Sequence, residues 1–308
     1  MIGLSVIIVN YNTSEITFQC IQSIIKFFPF TNYALDVVVI DNNSHYDDYK
    51  KLDEKIASLS GYQITLVRKK RNSGFAGGNM EGVEYATGNF LFLVNNDVIF
   101  INDAFTPAVD YLNNNGSTGV CGGTPLYEDG KKQEPFGHTQ KMLYKLLGNG
   151  GYELLVPGAK RKKGNYTEPT EVDYVQGCFM CFKASVFKSI GGLDTNLFLY
   201  FEELDISERL RKKGLNTMYL PHIEYIHLGG KSTDIGFFRK KELAISNLYT
   251  VRKNYGYLQY FLLKNYLSIA YFFKSLVKPK YFSIWWLVVG GGCYMTHSLK
   301  HKQIVSDK

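Results

Sequence analysis

Phe90-Leu91-Phe92-Leu93-Val94-Asn95-Asn96-Asp97 decides the architecture of this chain, because five apolar residues in a row deliver two amides and one carboxylate at their end. A continuous apolar run is what a strand buried on both faces of a parallel sheet requires, and open α/β sheets place their ligands at the C-terminal ends of such strands. Asp97 therefore stands where something would be held. Two earlier stretches repeat the pattern: residues 4–9 end in Asn10-Tyr11-Asn12, and residues 35–40 end in Asp41-Asn42-Asn43-Ser44. Any one of them reads equally well as a turn or a helix cap. All three, with helical periodicity between them, point to one crevice lined by three strand ends.

Outward from these stretches, strand and helix signals alternate as βαβ units require. A helix over 14–27 follows the first strand, capped by Thr13 or Ser14 and stopped by Pro29; a second spans 46–59. A strand at 63–67 leads into the basic loop 68–71, and a helix over 76–86 closes on Gly88, where a positive φ is expected. A helix over 102–114 and a short strand come next. Residues 125–170, rich in Gly, Lys and Pro and carrying Lys160-Arg161-Lys162-Lys163, read as an irregular insertion, either a solvated loop or a substrate lid. An apolar strand over 172–183 and a short helix over 184–190 restore order. Phe198-Leu199-Tyr200-Phe201-Glu202-Glu203-Leu204-Asp205 then opens a helix. Three carboxylates in its first turn suit the helix dipole, while the aromatics before them draw the acids toward a partly buried site. A strand over 217–226 ends in His227-Leu228-Gly229-Gly230-Lys231-Ser232, where the glycines let the backbone turn away and leave the histidine free to reach a ligand.

A chain of 308 residues holds one large domain, or one domain with an appendage. Its five cysteines are irregularly spaced, and no signal peptide precedes the first strand, so a reducing cytoplasm is expected. Cys178 and Cys181 have C-x-x-C spacing without a second pair and read as strand packing. The formal charge of +7 is concentrated: residues 251–308 carry nine Lys or Arg against Asp307. The same region, with apolar and aromatic residues recurring over 239–277 and Trp285-Trp286 in an apolar stretch over 282–295, reads as amphipathic helices. Such helices fit an anionic membrane surface, or else pack on the rest of the chain or on a second copy in a homo-oligomer. No nucleic-acid motif accompanies the basic residues, so nucleic acid is not an expected partner. The missing G-x-G-x-x-G excludes a NAD-dependent dehydrogenase, and no glycine-rich basic loop follows Val9 to suit a nucleotidyltransferase.

Taken in order, the Asn10-Tyr11-Asn12, Asp41-Asn42-Asn43-Ser44, Asn72-Ser73-Gly74-Phe75-Ala76-Gly77-Gly78-Asn79, Asn95-Asn96-Asp97, Phe201-to-Asp205 and His227-to-Ser232 stretches resemble the family 2 glycosyltransferases, above all the bacterial rhamnosyltransferase-like branch. The resemblance covers about residues 4–235. It implies an α/β fold of GT-A type, a Rossmann-like mixed sheet flanked by helices, followed by a C-terminal helical extension. Residues 1–98 would form the nucleotide-sugar-binding half, 99–235 the acceptor-binding half, and 236–308 the basic helical region. By the same resemblance Asn10, Tyr11 and Asn12 would line the base and ribose site, Asp41 would accept from the imide N–H of a uracil or thymine, and Asn72, Gly74 and Asn79 would approach the diphosphate and sugar; Asn43, Phe75, Asn96 and Asp97 would complete the donor-binding set. Asp97 matches the last acid of the family's DxD-type motif, whose first two positions here are Asn95 and Asn96. With His227 and phosphate oxygens it would hold Mg²⁺ or Mn²⁺. Glu203 matches the general base, with Glu202 and Asp205 as alternatives. The implied activity is inverting transfer of a sugar, from dTDP-rhamnose or a UDP-hexose, to a lipid-linked or growing surface glycan at the inner face of the membrane. The competing expectation is a non-catalytic sugar-nucleotide binder or a regulatory subunit.

Overall fold

The computed structural model describes residues 2–229, 236–292 and 295–306. Strand β1 (Ile2–Asn10) leads through helix α1 (Ser14–Phe27) to β2 (Tyr33–Asp41), α2 (Tyr46–Ala57), β3 (Ile64–Arg68), α3 (Gly74–Tyr85) and β4 (Phe90–Asn95). After β4 come β5 (Val98–Phe100), α4 (Phe105–Asn114), β6 (Thr118–Leu126), β7 (Phe136–Gly137) and α5 (Met142–Leu155). The chain continues through β8 (Thr170–Glu171), β9 (Tyr174–Val175), β10 (Phe179–Lys183), α6 (Ala184–Ser189), α7 (Glu202–Lys212) and β11 (Asn216–His227). Helices α8 (Gly236–Val277) and α9 (Phe282–Val289) complete it.

Among the described residues the main sheet runs in the order β3-β2-β1-β4-β10-β6-β11-β5, with β8 also pairing β11. The first four strands are parallel, β10 is antiparallel to both of its neighbours, and β11 is parallel to β6. Register decides the function of this sheet. Asn10 lies opposite Asp41 and Val9 opposite Asn95, so the polar ends of β1, β2 and β4 arrive level with one another. On the far side β11 pairs antiparallel with β5, and His227 lies opposite Val98. That pairing carries the histidine to the neighbourhood of Asp97.

The sheet is covered on both faces. Val6, Val37 and Phe92 pack with Ile21 and Ile24 of α1 and Phe105 and Val109 of α4. Ile7, Val38, Leu93 and Met180 pack with Ala76 of α3, Phe187 of α6 and Leu210 of α7. Burial on both sides is why these strands show unbroken apolar runs. Helix α3 comes unusually close to β1, because a Cβ on Gly82 would stand 2.4 Å from Ile7 Cγ2.

Several expectations need correction. Gly88 does not adopt a positive φ; it is needed because a side chain there would strike the β1 backbone, 2.5 Å from Ser5 N. The strand expected over 172–183 is two strands, β9 and β10, and the helix expected from 102 begins at Phe105, where Asp103 Oδ1 accepts from the N–H groups of Phe105 and Thr106. The insertion over 125–170 is more regular than its composition suggests, since it holds β7, α5 and β8. Helix α5 has no buried residue and bends at Gly148, so it carries none of the apolar periodicity that marks a core helix. Cys178 and Cys181 are buried free thiols at and beside the start of β10, as expected of strand packing, while Cys293 lies outside the described residues.

Helix α8 bends at Gly256, where φ is 85°. Its first arm is tied to the α/β body: Asn254 Nδ2 donates to Asp205 Oδ1, and Ser246 Oγ donates to the Leu199 carbonyl. Its second arm and α9 fold back on the first arm around a small core of Ala244, Leu248 and Val251 with Tyr260, Leu263, Ile284 and Val288. Among the described residues no helix is long and apolar enough to cross a membrane. The expected boundary at 235/236 adjoins residues 230–235, which lie outside the described residues.

Candidate functional site

The level strand ends are knitted together by buried polar groups. Asn10 Nδ2 donates to Asp41 Oδ2 (2.9 Å) and to Ser44 Oγ (3.1 Å), while Asn10 Oδ1 accepts from Thr17 Oγ1 (2.7 Å). Asp41 Oδ1 also accepts from the Ser44 N–H, and burial pushes its carboxyl above the ordinary range. Each of its oxygens keeps a second lone pair for a ligand donor. Asn12 and Asn43 adopt positive φ, a conformation asparagine tolerates. Asn12 Oδ1 accepts from the His45 N–H, and Tyr11 beside it is exposed. Asn96 Nδ2 donates to Thr13 Oγ1 and Thr17 Oγ1, which makes α1 the brace between the first strand end and the Asp97 turn.

The glycine loop closes the crevice at the start of α3. Asn42 Oδ1 accepts from Ser73 N–H and Asn42 Nδ2 donates to the Gly74 carbonyl, while Asn72 Oδ1 accepts from the Gly74 N–H. Asn79, one turn into α3, donates to the Phe75 carbonyl and leaves its own Oδ1 buried without a partner. Phe75 N–H donates to the Phe198 carbonyl, so this loop is tied directly to the segment that leads into the acids. Gly74 has φ 76° and a Cβ there would stand 2.1 Å from the Phe198 oxygen. Two penalties coincide, a left-handed backbone and a backbone collision. Gly74→Ala is expected to lower the midpoint of thermal unfolding by several degrees and to weaken donor binding more than tenfold, measured by calorimetry on the folded fraction.

Asp97 and His227 meet as the β5–β11 pairing requires. His227 Nε2 stands 3.4 Å from Asp97 Oδ1, an oxygen that is buried and receives no hydrogen bond. The Asp97 carbonyl accepts from the Leu228 N–H, which fixes the two turns against each other. On its other side the imidazole is held by Gln133, whose Oε1 lies 3.2 Å from His227 Nδ1 and whose Nε2 donates to the His227 carbonyl. Neighbouring ligands of an octahedral cation held at about 2.1 Å are separated by about 3 Å, so an orphaned carboxylate oxygen beside a ring nitrogen fits a divalent metal. Among the described residues no three His, Cys, Asp or Glu side chains are placed to hold one metal ion, so a cation at Asp97 and His227 would take its remaining ligands from phosphate and water. Gly230, Lys231 and Ser232 of the same stretch lie outside the described residues.

The acids open α7 behind strained backbone: Tyr200 and Phe201 both have positive φ, 75° and 70°. Consecutive left-handed residues other than glycine cost free energy that the surrounding packing must supply, and such strain gathers at functional sites. It turns the first helical turn so that the three acids part ways. Asp205 is buried and saturated, accepting from Arg209 Nε (2.8 Å), Asn254 Nδ2 (2.9 Å) and Lys253 Nζ (2.7 Å). It anchors α7 to α8, which corrects its place among the candidate bases. Glu202 is buried with Oε1 unpartnered, and burial together with the Glu203 charge lifts its carboxyl well above the ordinary range. Glu203 is only half-buried and faces Gly177, where a Cβ would sit 3.6 Å from its Oε2. Burial raises its carboxyl to about 7. The β9–β10 turn touches both sides, since the Cys178 carbonyl accepts from the Asn95 N–H and Gly177 faces Glu203.

Several members of the site had no signal in the sequence. Gln133 sits in the insertion and reaches His227 from 94 residues away. The C-terminal tail also arrives there: Asn43 Nδ2 donates to the Ile304 carbonyl, and Arg71 Nη2 donates to the Lys300 carbonyl.

A family model described as "Glycosyl transferase family 2" matches residues 5–191. The chain is similar to a low-salt glycan biosynthesis hexosyltransferase of Haloferax volcanii, 25% identical over 227 residues, covering 73% of this chain and 66% of that protein. It is also similar to the rhamnosyltransferase WbbL of Escherichia coli, 23% identical over 220 residues, covering 62% of this chain and 82% of that protein. Among solved structures it resembles GalNAc-T7 with UDP, GalNAc and Mn²⁺, with a TM-score of 0.59 and 20% identity over 74% of this chain and 43% of that one. The chain thus spans less than half of the structural relative and 66% of the Haloferax protein.

Proposed function

Because the chain belongs to glycosyl transferase family 2, we propose that it moves a sugar from a nucleoside diphosphate donor to an acceptor hydroxyl, with inversion at the anomeric carbon. The observation that supports this reading is a buried, unpartnered Asp97 oxygen 3.4 Å from His227 Nε2, at the end of the strand beside Asn10 and Asp41; a half-buried Glu203 whose carboxyl is raised to about 7 supplies the base. Glu203 takes the proton from the acceptor hydroxyl as that oxygen attacks in line. Burial and the Glu203 charge hold the Glu202 carboxyl well above the ordinary range, so Glu202 resists ionising once Glu203 is charged. Asn10, Tyr11, Asn12, Asp41 and Asn43 hold the base and ribose, and the N-terminus of α3 with Asn72, Gly74, Phe75 and Asn79 faces the diphosphate and sugar. Asp97 and His227 would hold Mg²⁺ or Mn²⁺, which supplies Lewis-acid neutralisation of the departing diphosphate when bound. With such a leaving group one catalytic carboxylate suffices, whereas glycoside hydrolysis needs two.

The names of the Haloferax and Escherichia coli relatives favour a hexose or rhamnose as the sugar and, for the first, a glycan as the product; a lipid-linked or surface glycan as the acceptor is our own proposal. The test is calorimetric titration with dTDP-rhamnose, UDP-galactose and UDP-N-acetylglucosamine, each with Mn²⁺, Mg²⁺ or chelator. Metal-dependent binding of one donor is the expected result. If no donor binds under any condition, the crevice is not a donor site and a scaffolding or regulatory subunit becomes the better reading.

A further inference from the structure

We propose that the outer surface formed by α5, the second arm of α8 and α9 docks on an anionic lipid bilayer. A helix on the surface of a protein in water turns polar side chains outward. These three do the opposite. Leu146 and Leu154 on α5, Phe273 and Leu276 on α8, and Trp286 on α9 are each 63–74% exposed. The inward side of the second arm and α9 is already filled by the small core they share with the first arm, so the outward side is not a core face awaiting the catalytic body. Trp285 lies 5.6 Å from Phe272, 5.2 Å from Phe282 and 6.1 Å from Trp286, ring centre to ring centre, which makes a continuous aromatic strip.

Charge selects the occupant. No Asp or Glu occurs between Glu242 and Asp307, whereas Lys264, Lys274, Lys278 and Lys280 lie along this region. The acid on α5, Glu153, is turned inward onto His138 and the Lys162 N–H, and aromatic side chains flanked by lysines match the interface of an anionic membrane. Among the described residues no helix is long and apolar enough to span the bilayer, so the surface lies on it.

Helix α5 enters this surface only through tertiary structure. Its start is anchored at the bend of α8, with the Met142 N–H donating to Gln259 Oε1 on the second arm and the Lys141 ammonium over the Tyr255 ring at the end of the first. The strand before it, β7, pairs with β9, and Gly177 just after β9 faces Glu203, whose Oε2 lies 3.6 Å from where a Cβ on Gly177 would stand. Docking would therefore bring the base side of the crevice toward the lipid, where a lipid-linked hydroxyl is presented. This last consequence rests on the transferase reading; the docking itself does not.

The experiment is flotation of the full chain with vesicles of phosphatidylcholine alone or mixed with phosphatidylglycerol. Two paired variants are compared, Leu146→Glu with Leu154→Glu and Phe273→Glu with Trp286→Glu, all at exposed positions where unfolding is not expected. Recovery with the mixed vesicles is expected to exceed that with neutral ones, to fall at high salt, and to drop about tenfold in either paired variant. Equal recovery on neutral vesicles, or undiminished flotation of either pair, overturns the proposal. So does a dimer that dissociates in the variants while no vesicle binding occurs, which would make the surface an interface between two copies. Flotation needs no turnover, so a failed donor titration leaves this result standing.

Discussion

Glu203→Gln is expected to lower kcat by about 10²–10⁴-fold, the range that a positioned general base contributes, while donor affinity stays within a factor of two of the native chain. The amide keeps the shape and the packing against Gly177 and removes only the capacity to accept a proton. The pH dependence provides an independent reading. Burial has raised the Glu203 carboxyl to about 7, so at pH 6 the group is largely protonated and unable to act, and kcat/KM should rise as pH climbs through about 7. In the variant that rise should vanish. Were transfer unchanged in Glu203→Gln and lost in Glu202→Gln, the base would be the buried neighbour, whose carboxyl is lifted further still.

Asp97→Ala carries the second large effect. Its Oδ1 is buried without a hydrogen bond and stands beside His227 Nε2, so removing the carboxylate takes away the anionic half of a two-residue cation site. Donor affinity in Mn²⁺ is expected to fall a hundredfold or more, to the value the native chain shows in chelator, and transfer should be lost with it. Melting curves without metal separate this from unfolding, since the substitution also relieves a buried charge. A donor affinity indifferent both to metal and to Asp97→Ala would show that no cation works at this place. His227→Ala should cost less than Asp97→Ala, because a neutral ligand contributes less to a divalent cation than a carboxylate does.

Much of the body was legible because burial leaves a mark on composition. Strands β1, β2 and β4 lie inside the sheet with helices on both faces, and each shows a long apolar run ending in amides or acids. The pairing of Asn10 with Asp41 follows from two parallel strands of matched length. Helix α5 left no such mark, since it buries no residue and its anchor is a polar contact to Gln259. The division of labour among Glu202, Glu203 and Asp205 was equally unreadable. Adjacent acids in one helical turn look alike in sequence, and only the left-handed backbone at Tyr200 and Phe201 and the approach of α8 tell them apart.

The order of strands and helices from β1 to β4, the polar ends of β1, β2 and β4, and the family were legible in the sequence alone, because each rests on local periodicity or on short contiguous motifs. Tertiary structure alone decided which acid remains reachable, that Gln133 orients His227, and that α5 joins the aromatic face of the C-terminal helices. Those arrangements depend on pairings between residues as many as 117 positions apart, and no local pattern encodes them.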